Sequence, residues 1–598
     1  MADFLYSRSR FPPGLLGASL TALLGESAAA VDEHHGTWGS LAVARAHHDP
    51  PEVVRLESGL LTVLLGNPLV RRAGLGAPWY VGDRRQDVHQ FLSGGDHPAW
   101  TELLDGHFAL LAVDTVTASG QVVTDFMSHV PVYAAARSVG HEREALMLGS
   151  HPDALARAAG LADRIDLVTA AELVLSLRCT FPHTIYEGIR QLPPGSSRSF
   201  GPDGWAGPPV CYWSPRETAA PENRRAAAAE LHEATREFVA SQCSGHPEVG
   251  LLLSGGEDSR ALLGAIPDGP RVHAFTYADA ADTREARIAA ATARIHRASF
   301  TVGVRARDHY TRHFETVARL VGSQHLLLDV HGFGMHRELG IRDLPVVLDG
   351  LSANVLFKGH CHAKRRVSRA GVPATALIPA DLVDAVVARK AAFRDWVAGF
   401  RPTTAEEWMA FYPFSVRKHG GVLHGNRRLF RSVEPFHALR GLQVAAACPP
   451  NWMRGGWLFR RAMRPVLAPT RWLPHARGYF PYFGRLPNLV LEPAFVLGRA
   501  ATSMATGRSP AQQHPWPDWK RLADSPAAVS IGRNHPIADT PLGHIFGGKS
   551  ANDIDREVAR WPALRRLMLL QLSVLHGRQA SPEVARFPSA ASHESAVG

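Results

Sequence analysis

The sequence predicts two unlike domains, an antiparallel-sheet domain over residues 1–212 and a parallel-sheet α/β domain over residues 213–578. Three observations lead there. The 598 residues exceed what one hydrophobic core holds. The first third shows short apolar runs split by Asp, Gly and Ser clusters, a pattern of stacked antiparallel strands. From Arg224 the chain changes to alternating helical and apolar segments, the pattern of a parallel sheet covered by helices.

In order along the chain, Phe108–Val113 and Gln121–Thr124 are the clearest early strands. Gln191-Leu-Pro-Pro-Gly195 is a turn, and Pro215–Asn223, rich in Pro, Glu and Ala, is the linker between domains. A helix is expected over Ala226–Gln242, then a strand over Val249–Leu253, a polar glycine loop and a helix over Arg260–Ile266. A strand at Val272–Tyr277, a helix at Arg284–Arg297 and an apolar run at Leu344–Leu348 ending in Asp349-Gly350 follow. Beyond Cys361 the chain reads as mainly helical, and residues 579–598, small and polar, as a disordered tail. There is no internal repeat.

Composition narrows the function classes. Hydrophobic residues at 45% and charged residues at 20% are ordinary for a soluble globular protein. No apolar run is long enough for a membrane span, and the N-terminus, with Arg8, Arg10, Pro12 and Pro13, lacks the apolar core of an export signal. Five scattered cysteines without a CxxC pair fit a reducing cytoplasm. The net charge of +10 suits anionic ligands, but the arginines are dispersed and no aromatic-interleaved basic stripe appears. Neither nucleic acid nor membrane is an expected partner.

The chemistry concentrates in Val249–Arg260. A buried strand delivers Ser254-Gly-Gly, and a helix begins at once. Paired glycines let the backbone curl and bring N–H groups close to a ligand, and the helix start adds positive potential. Ser254 and Ser259 add hydroxyl donors. Asp258 would be repelled by a bare phosphate, so its presence implies a bridging Mg²⁺ and a magnesium polyphosphate ligand. An ordinary strand–turn–helix with an aspartate at the helix start is the plainer alternative.

Ser254-Gly-Gly-Glu-Asp-Ser259 resembles the pyrophosphate loop (SGGxDS) of ATP-pyrophosphatase enzymes, particularly asparagine synthetases and their relatives. Other segments agree in order. Leu104–Asp114 resembles the family's G-x-F-A-x-x-x-x-D strand, and Phe181–Gly195 the segment closing its N-terminal domain. Val347–Gly359 lies where the family carries S-G-x-G-x-D-E-L-F-x-G, and Arg431-Ser-Val-Glu-Pro-Phe436 resembles its R-x-P-F element. The resemblance spans roughly residues 100 to 490. It implies an N-terminal Ntn-hydrolase-like αββα sandwich and a C-terminal adenylating domain of the ATP-pyrophosphatase, HUP-like kind. It also implies that ATP activates a carboxylate as an acyl-adenylate, which an amine then attacks. On this resemblance Ser254, Gly255, Gly256 and Ser259 hold pyrophosphate and Asp258 holds Mg²⁺. Leu253, Phe275, Thr276, Asp349 and Gly350 border the adenine.

The departures refine the expectation. Glutamine-hydrolysing members carry a nucleophilic Cys after Met; here Ala2 follows Met1, and no cysteine precedes Cys179. A thiolate is needed for that chemistry, so the first domain is expected to be a structural or peptide-docking remnant. The family's acidic pair is replaced by Asn354-Val355, leaving Asn354 as a weak metal ligand with Asp349 as a substitute. Leu351 stands where ring-closing relatives carry Tyr or Glu. Arg477 stands in for the family's charge-stabilising lysine, with Arg471 nearby. With its length and missing Cys, the chain most resembles lasso-peptide cyclases, which implies a precursor peptide as substrate and a leader-binding protein and leader peptidase as partners. An amine- or ammonia-dependent relative acting on a small carboxylate, and a degenerate nucleotide-binding homologue, are the alternatives.

Three further motifs read as decoys. Gly543–Ser550 matches GxxxxGK[ST], yet the preceding Asn534–Pro541 is a poor strand. His360-Cys361-His362 has no complementary ligand pair for zinc. His34-His35 and His47-His48 read as exposed loop residues.

Overall fold

The computed structural model describes residues 1–577 apart from 51, 72–83, 96–98, 140–141, 360–376, 417–419, 485–486, 496 and 498–516. The expected tail and the His360-Cys361-His362 motif lie outside the described residues. In the first domain, two antiparallel sheets face each other. One has six strands in the order Ile189–Gln191, Tyr133–Val139, Glu142–Gly149, Asp3–Ser7, Gly39–Ala46, Ala28–Gly36. The other is seven-stranded, with Leu60–Gly66, Phe108–Asp114, Gly120–Thr124 and Ser196–Gly201 adjacent in that order.

Side-chain alternation explains why these strands read as nearly continuous apolar runs. Successive residues point to opposite faces, and both faces are covered. Phe4, Tyr6, Leu41, Val43, Leu61, Val63, Leu111 and Val113 fill the space between the sheets. Their neighbours Leu5, Ala42 and Ala44 meet helices Leu15–Leu24, Pro152–Ala159 and Leu167–Ser176. Phe108, Leu110 and Val123 on the second sheet meet Val88 of helix Arg84–Ser93 and residues of the second domain. The result is the αββα sandwich, with its fourth layer shared between domains.

The second domain opens with α1 (Arg224–Cys243), capped by Asn223, whose Oδ1 accepts from the amides of Arg225 and Ala226 at 2.9 and 3.0 Å. The five-stranded sheet comprises β1 (Glu248–Leu252), β2 (Arg271–Ala278), β3 (Ser299–Val304), β4 (Val347–Asp349) and β5 (Ser432–Val433) in the order β3-β2-β1-β4-β5. All four pairings are parallel. Helices α2 (Asp258–Ala265) and α3 (Arg284–Ile295) connect the first three strands. Farther on come α4 (Ala380–Ala398), α5 (Gly421–Leu429) and α6 (Trp457–Leu467).

Two sheet members were not expected. β3, at the edge, has mostly exposed or half-buried positions and contains Gly303, which weakens its strand signature. β5 has only two residues, too few for any periodicity. His34 and His35, expected in a loop, are half-buried within strand Ala28–Gly36. Among the described residues no helix is long and apolar enough to cross a membrane.

The domains are joined by buried charge. Asp3 Oδ2 accepts from Arg428 Nε at 2.7 Å, and Asp3 Oδ1 from Arg428 Nη2 at 2.8 Å and Arg427 Nη2 at 3.0 Å. Burial alone would push the Asp3 carboxyl up, but Arg427 and Arg428 outweigh it and hold it well below the usual range.

Candidate active site

In an open parallel sheet, ligands bind beyond the carboxyl ends of the strands where the strand order reverses. Here that place lies between β1 and β4. β1 feeds the glycine loop and α2; β4 feeds Asp349-Gly350. The two ends touch: a Cβ on Gly350 would come within 2.9 Å of the Ser259 backbone nitrogen and 3.2 Å of Asp258 Cβ. Glycine is required there by space.

The serines shape the loop from within. Ser254 N donates to Ser259 Oγ at 3.0 Å, the two hydroxyls are 3.1 Å apart, and Gly256 N donates to Ser254 Oγ at 3.1 Å. At the start of α2, Glu257 occupies the cap position with no side-chain cap bond, so the first-turn amides have no intrahelical acceptor. Gly255 is closed in by the segment after α6. Its carbonyl accepts from Ala476 N at 3.0 Å, and an added Cβ would meet Ala476 Cβ at 3.1 Å and Glu285 Cα at 3.2 Å. Arg260, 1% exposed, fastens the same segment: Nη1 donates to Leu473 O at 2.8 Å and Nη2 to Pro474 O at 2.9 Å. Burial pulls its guanidinium down to about 10.

Behind the loop lies a charge cluster. Lys358 Nζ is 2.7 Å from Glu257 Oε1 and also contacts Asp258 Oδ1, and it sits 4.4 Å from the centre of the Phe459 ring. Arg460 Nε donates to Glu257 Oε2 at 2.9 Å, with its guanidinium 4.7 Å from the Tyr479 ring centre. Burial would raise Glu257, but Lys358 and Arg460 hold it down at about 2. Asp258 goes the other way: burial raises it, the nearby Glu257 adds to that, and Lys358 offsets only part. The site thus sets the Lys358 side chain beside the start of α2, whose first-turn amides have no intrahelical acceptor, a combination that favours phosphate oxygens.

A model of the family "Asparagine synthase" matches residues 230–580, and one of the family "Glutamine amidotransferase domain" matches residues 88–213. The chain belongs to the asparagine synthase family. That makes it an ATP-dependent ligase of the asparagine-synthase type, and its first domain is of the glutamine amidotransferase fold. No curated protein matches the chain significantly. Among solved structures, one described as the allosteric regulatory enzyme of purine biosynthesis is 11% identical and covers 51% of this chain and 80% of its own, with a TM-score of 0.23. That likeness is too slight to bear on anything further.

The residues expected in the asparagine-synthase site are distributed as follows. Ser254, Gly255, Gly256, Asp258, Ser259, Asp349 and Gly350 come together at the crevice. Leu253 is 1% exposed and its side chain lies in the core, while its amide donates to Phe275 O at 2.7 Å. Phe275 and Thr276 are buried near the end of β2. Arg477 is exposed in the turn that closes over Gly255, and its amide donates to His475 Nδ1 at 3.0 Å. Asn354 lies half-buried on the short helix Ala353–Leu356; the side chain that meets Asp258 is Lys358.

Lys358, Glu257 and Arg460 escaped the motif reading. Glu257 occupies the variable position of SGGxDS. Lys358 occupies the variable position before the last glycine of the degraded second motif. A signal for it existed: only six of the 65 basic residues are lysines, and none precedes Lys358. In a chain that otherwise uses arginine, that lysine marks a place where a compact ammonium is preferred. The GxxxxGK[ST] match is, as expected, no P-loop. Gly543 sits in the 3₁₀ turn Pro541–Phe546, preceded by another such turn, and Ser550 caps helix Ala551–Val558.

Proposed function

We propose that this enzyme joins a carboxylate to an amine within one peptide, closing a macrolactam through an acyl-adenylate, as in lasso-peptide biosynthesis. The observation that carries the reading is the convergence of the Ser254–Ser259 loop, the Lys358 ammonium and Asp349-Gly350 at the strand-order reversal. A substrate carboxylate oxygen attacks the α-phosphorus of ATP and pyrophosphate departs. The amine then attacks the acyl carbon, AMP leaves with the electron pair of the C–O bond, and one proton is lost.

Each residue has a stated task. The first-turn amides of α2 and the Lys358 ammonium receive the charge that develops on the leaving pyrophosphate. Preorganised donors of this kind account for much of the barrier reduction. Glu257 fixes Lys358, and Arg460 fixes Glu257 from the other side. Arg260 and the Ala476–Gly255 bond hold the covering segment over the loop, and Arg477 at its tip adds positive charge at the rim. The donor set suits Mg²⁺, a cation that takes oxygen ligands: Asp258 and Asp349 end adjoining elements, and the desolvated Asp258 is only partly compensated by Lys358. Those two carboxylates would hold the ion, which would screen the polyphosphate; Asn354 is the weaker third donor.

The first domain is read as one that supplies no ammonia. Its two cysteines are Cys179, whose thiol burial pushes well above its usual value, and Cys211, exposed on the short edge strand Val210–Cys211, and neither follows Met1. A docking role fits it better. A cavity of 1120 Å³ lies between it and α4, bounded by Phe181, Arg190, Arg198, Trp205, Arg389 and Trp396. Arginines and aromatics together suit an acidic, aromatic-bearing peptide segment.

Incubation with ATP and a core peptide encoded beside the gene tests the reading. The product should weigh one water less than the peptide, with AMP and pyrophosphate released. ADP release would refute the chemistry. AMP formation only with small amines or ammonia would favour the small-carboxylate alternative, and the absence of any ATP–pyrophosphate exchange the degenerate one.

A further inference from the structure

At the seam between the domains, three histidines far apart in sequence meet. His107 lies just before strand Phe108–Asp114, His129 in the turn after strand Gly120–Thr124, and His437 ends the turn Pro435–His437 that follows β5. They are 6%, 1% and 1% exposed. The rings of His107 and His129 stack with centroids 3.8 Å apart, and those of His129 and His437 at 4.4 Å, both at 25°. One nitrogen from each can be chosen so that all three lie within 4.8 Å of one another.

The surroundings orient the rings. Asp125 Oδ1 accepts from the amides of Met127 and His129, and Oδ2 from the amide of Val130, each at 3.0 Å. So anchored, Asp125 faces His129 Nδ1 at 3.0 Å and fixes the proton on that nitrogen. His129 Nε2 then carries a lone pair, and it is buried with no hydrogen-bond partner. His107 Nδ1 lies 3.0 Å from Glu434 Oε2, so a second carboxylate backs the cluster. A carboxylate behind an imidazole whose other nitrogen points into a shared buried space is the arrangement found behind metal-bound histidines.

We propose that His107, His129 and His437 form a buried divalent transition-metal site, of the class that takes Zn²⁺, which pins the two domains together. Imidazole donors suit that class. Metal–nitrogen distances of about 2.0–2.1 Å require the nitrogens to draw in by roughly 1 Å and the stacked rings to turn so that their in-plane lone pairs converge on the ion. The site is separate from the ATP crevice and does not depend on the reading given for it. Two of its ligands come from the first domain and one from the second, so occupancy and domain docking are coupled.

The test uses the full chain, stripped with a chelator and titrated with Co²⁺ as a spectroscopic probe and Zn²⁺ as competitor. About one ion per chain is expected, with the intense visible absorption of a four-coordinate site in which water completes the three imidazoles, and a rise in the thermal midpoint. His437→Gln and, separately, His129→Gln should weaken binding at least about 100-fold. A His360→Ala/His362→Ala chain should bind as the wild type does. Folded wild type that takes up no Co²⁺ would overturn the proposal. So would binding that persists in both single variants, or binding that vanishes in the His360/His362 chain.

Discussion

The Nζ of Lys358 stands 2.7 Å from Oε1 of Glu257 while also contacting Asp258, so one ammonium serves two consecutive carboxylates at the head of α2. Its removal should act twice. Lys358→Met should lower ATP–pyrophosphate exchange about 10²–10³-fold, the usual cost of losing one charge-stabilising donor. It should also destabilise the fold by about 3–5 kcal/mol, since Glu257 keeps a buried charge with one partner fewer. Lys358→Arg separates the two effects: near-normal stability with exchange still reduced. Wild-type exchange in Lys358→Met would remove the residue from the mechanism.

Gly350→Ala tests the contact between the ends of β4 and α2. The added Cβ meets backbone at 2.9 Å, which a side-chain rotation cannot relieve, so about 1–3 kcal/mol of strain is expected. The KM for ATP should rise more than the stability falls. Unchanged ATP kinetics would place nucleotide binding elsewhere.

How much of this was legible beforehand depends on how local each feature is. The Ser254–Ser259 loop could be read because strand, glycines, serines and helix are contiguous, and β1, β2 and β4 announced themselves by apolar runs. β5 was invisible because two residues carry no period. Lys358 and Arg460 were invisible as partners because they reach Glu257 across 101 and 203 residues, as |358 − 257| and |460 − 257| show. The His107–His129–His437 cluster was missed for the same reason: no two of its members share a local motif.

Stability should fall as the medium is acidified below about pH 6.5. Burial, the largest influence on each, pushes His151 and His336 down to about 4 and His325 to about 3. With ordinary values near 6.5, the unfolded chain binds more protons than the folded one between these limits. The stabilisation is therefore complete above about pH 6.5 and lost as pH drops toward the folded values, by up to about 1.4 kcal/mol per pH unit for each fully titrating imidazole. Urea midpoints should hold from pH 7.5 to about 6.5 and decline from there to pH 5; a flat profile would contradict the buried neutral state.

Asp3→Asn leaves Arg427 and Arg428 buried without their counter-charge. A loss of about 3–5 kcal/mol is expected, seen as a lowered unfolding midpoint in denaturant. A midpoint equal to that of the wild type would mean that the two guanidinium groups reach water.

Arg190→Glu addresses the cavity against α4. It should raise the KM for an acidic peptide about tenfold or more while leaving ATP binding intact. Equal loss of both would mean that the substitution disturbs the fold, and no change in either would move peptide docking to another surface.

The carboxylate of Asp3 meets guanidinium groups 424 and 425 residues farther along the chain. During synthesis at roughly 5–20 residues per second, the strand that carries Asp3 waits for tens of seconds before those arginines leave the ribosome. The amino-terminal sandwich then does not mature on its own schedule, because its central strand holds a charge without its arginine partners until α5 arrives, and a chain truncated before Arg427 should be held by chaperones or degraded.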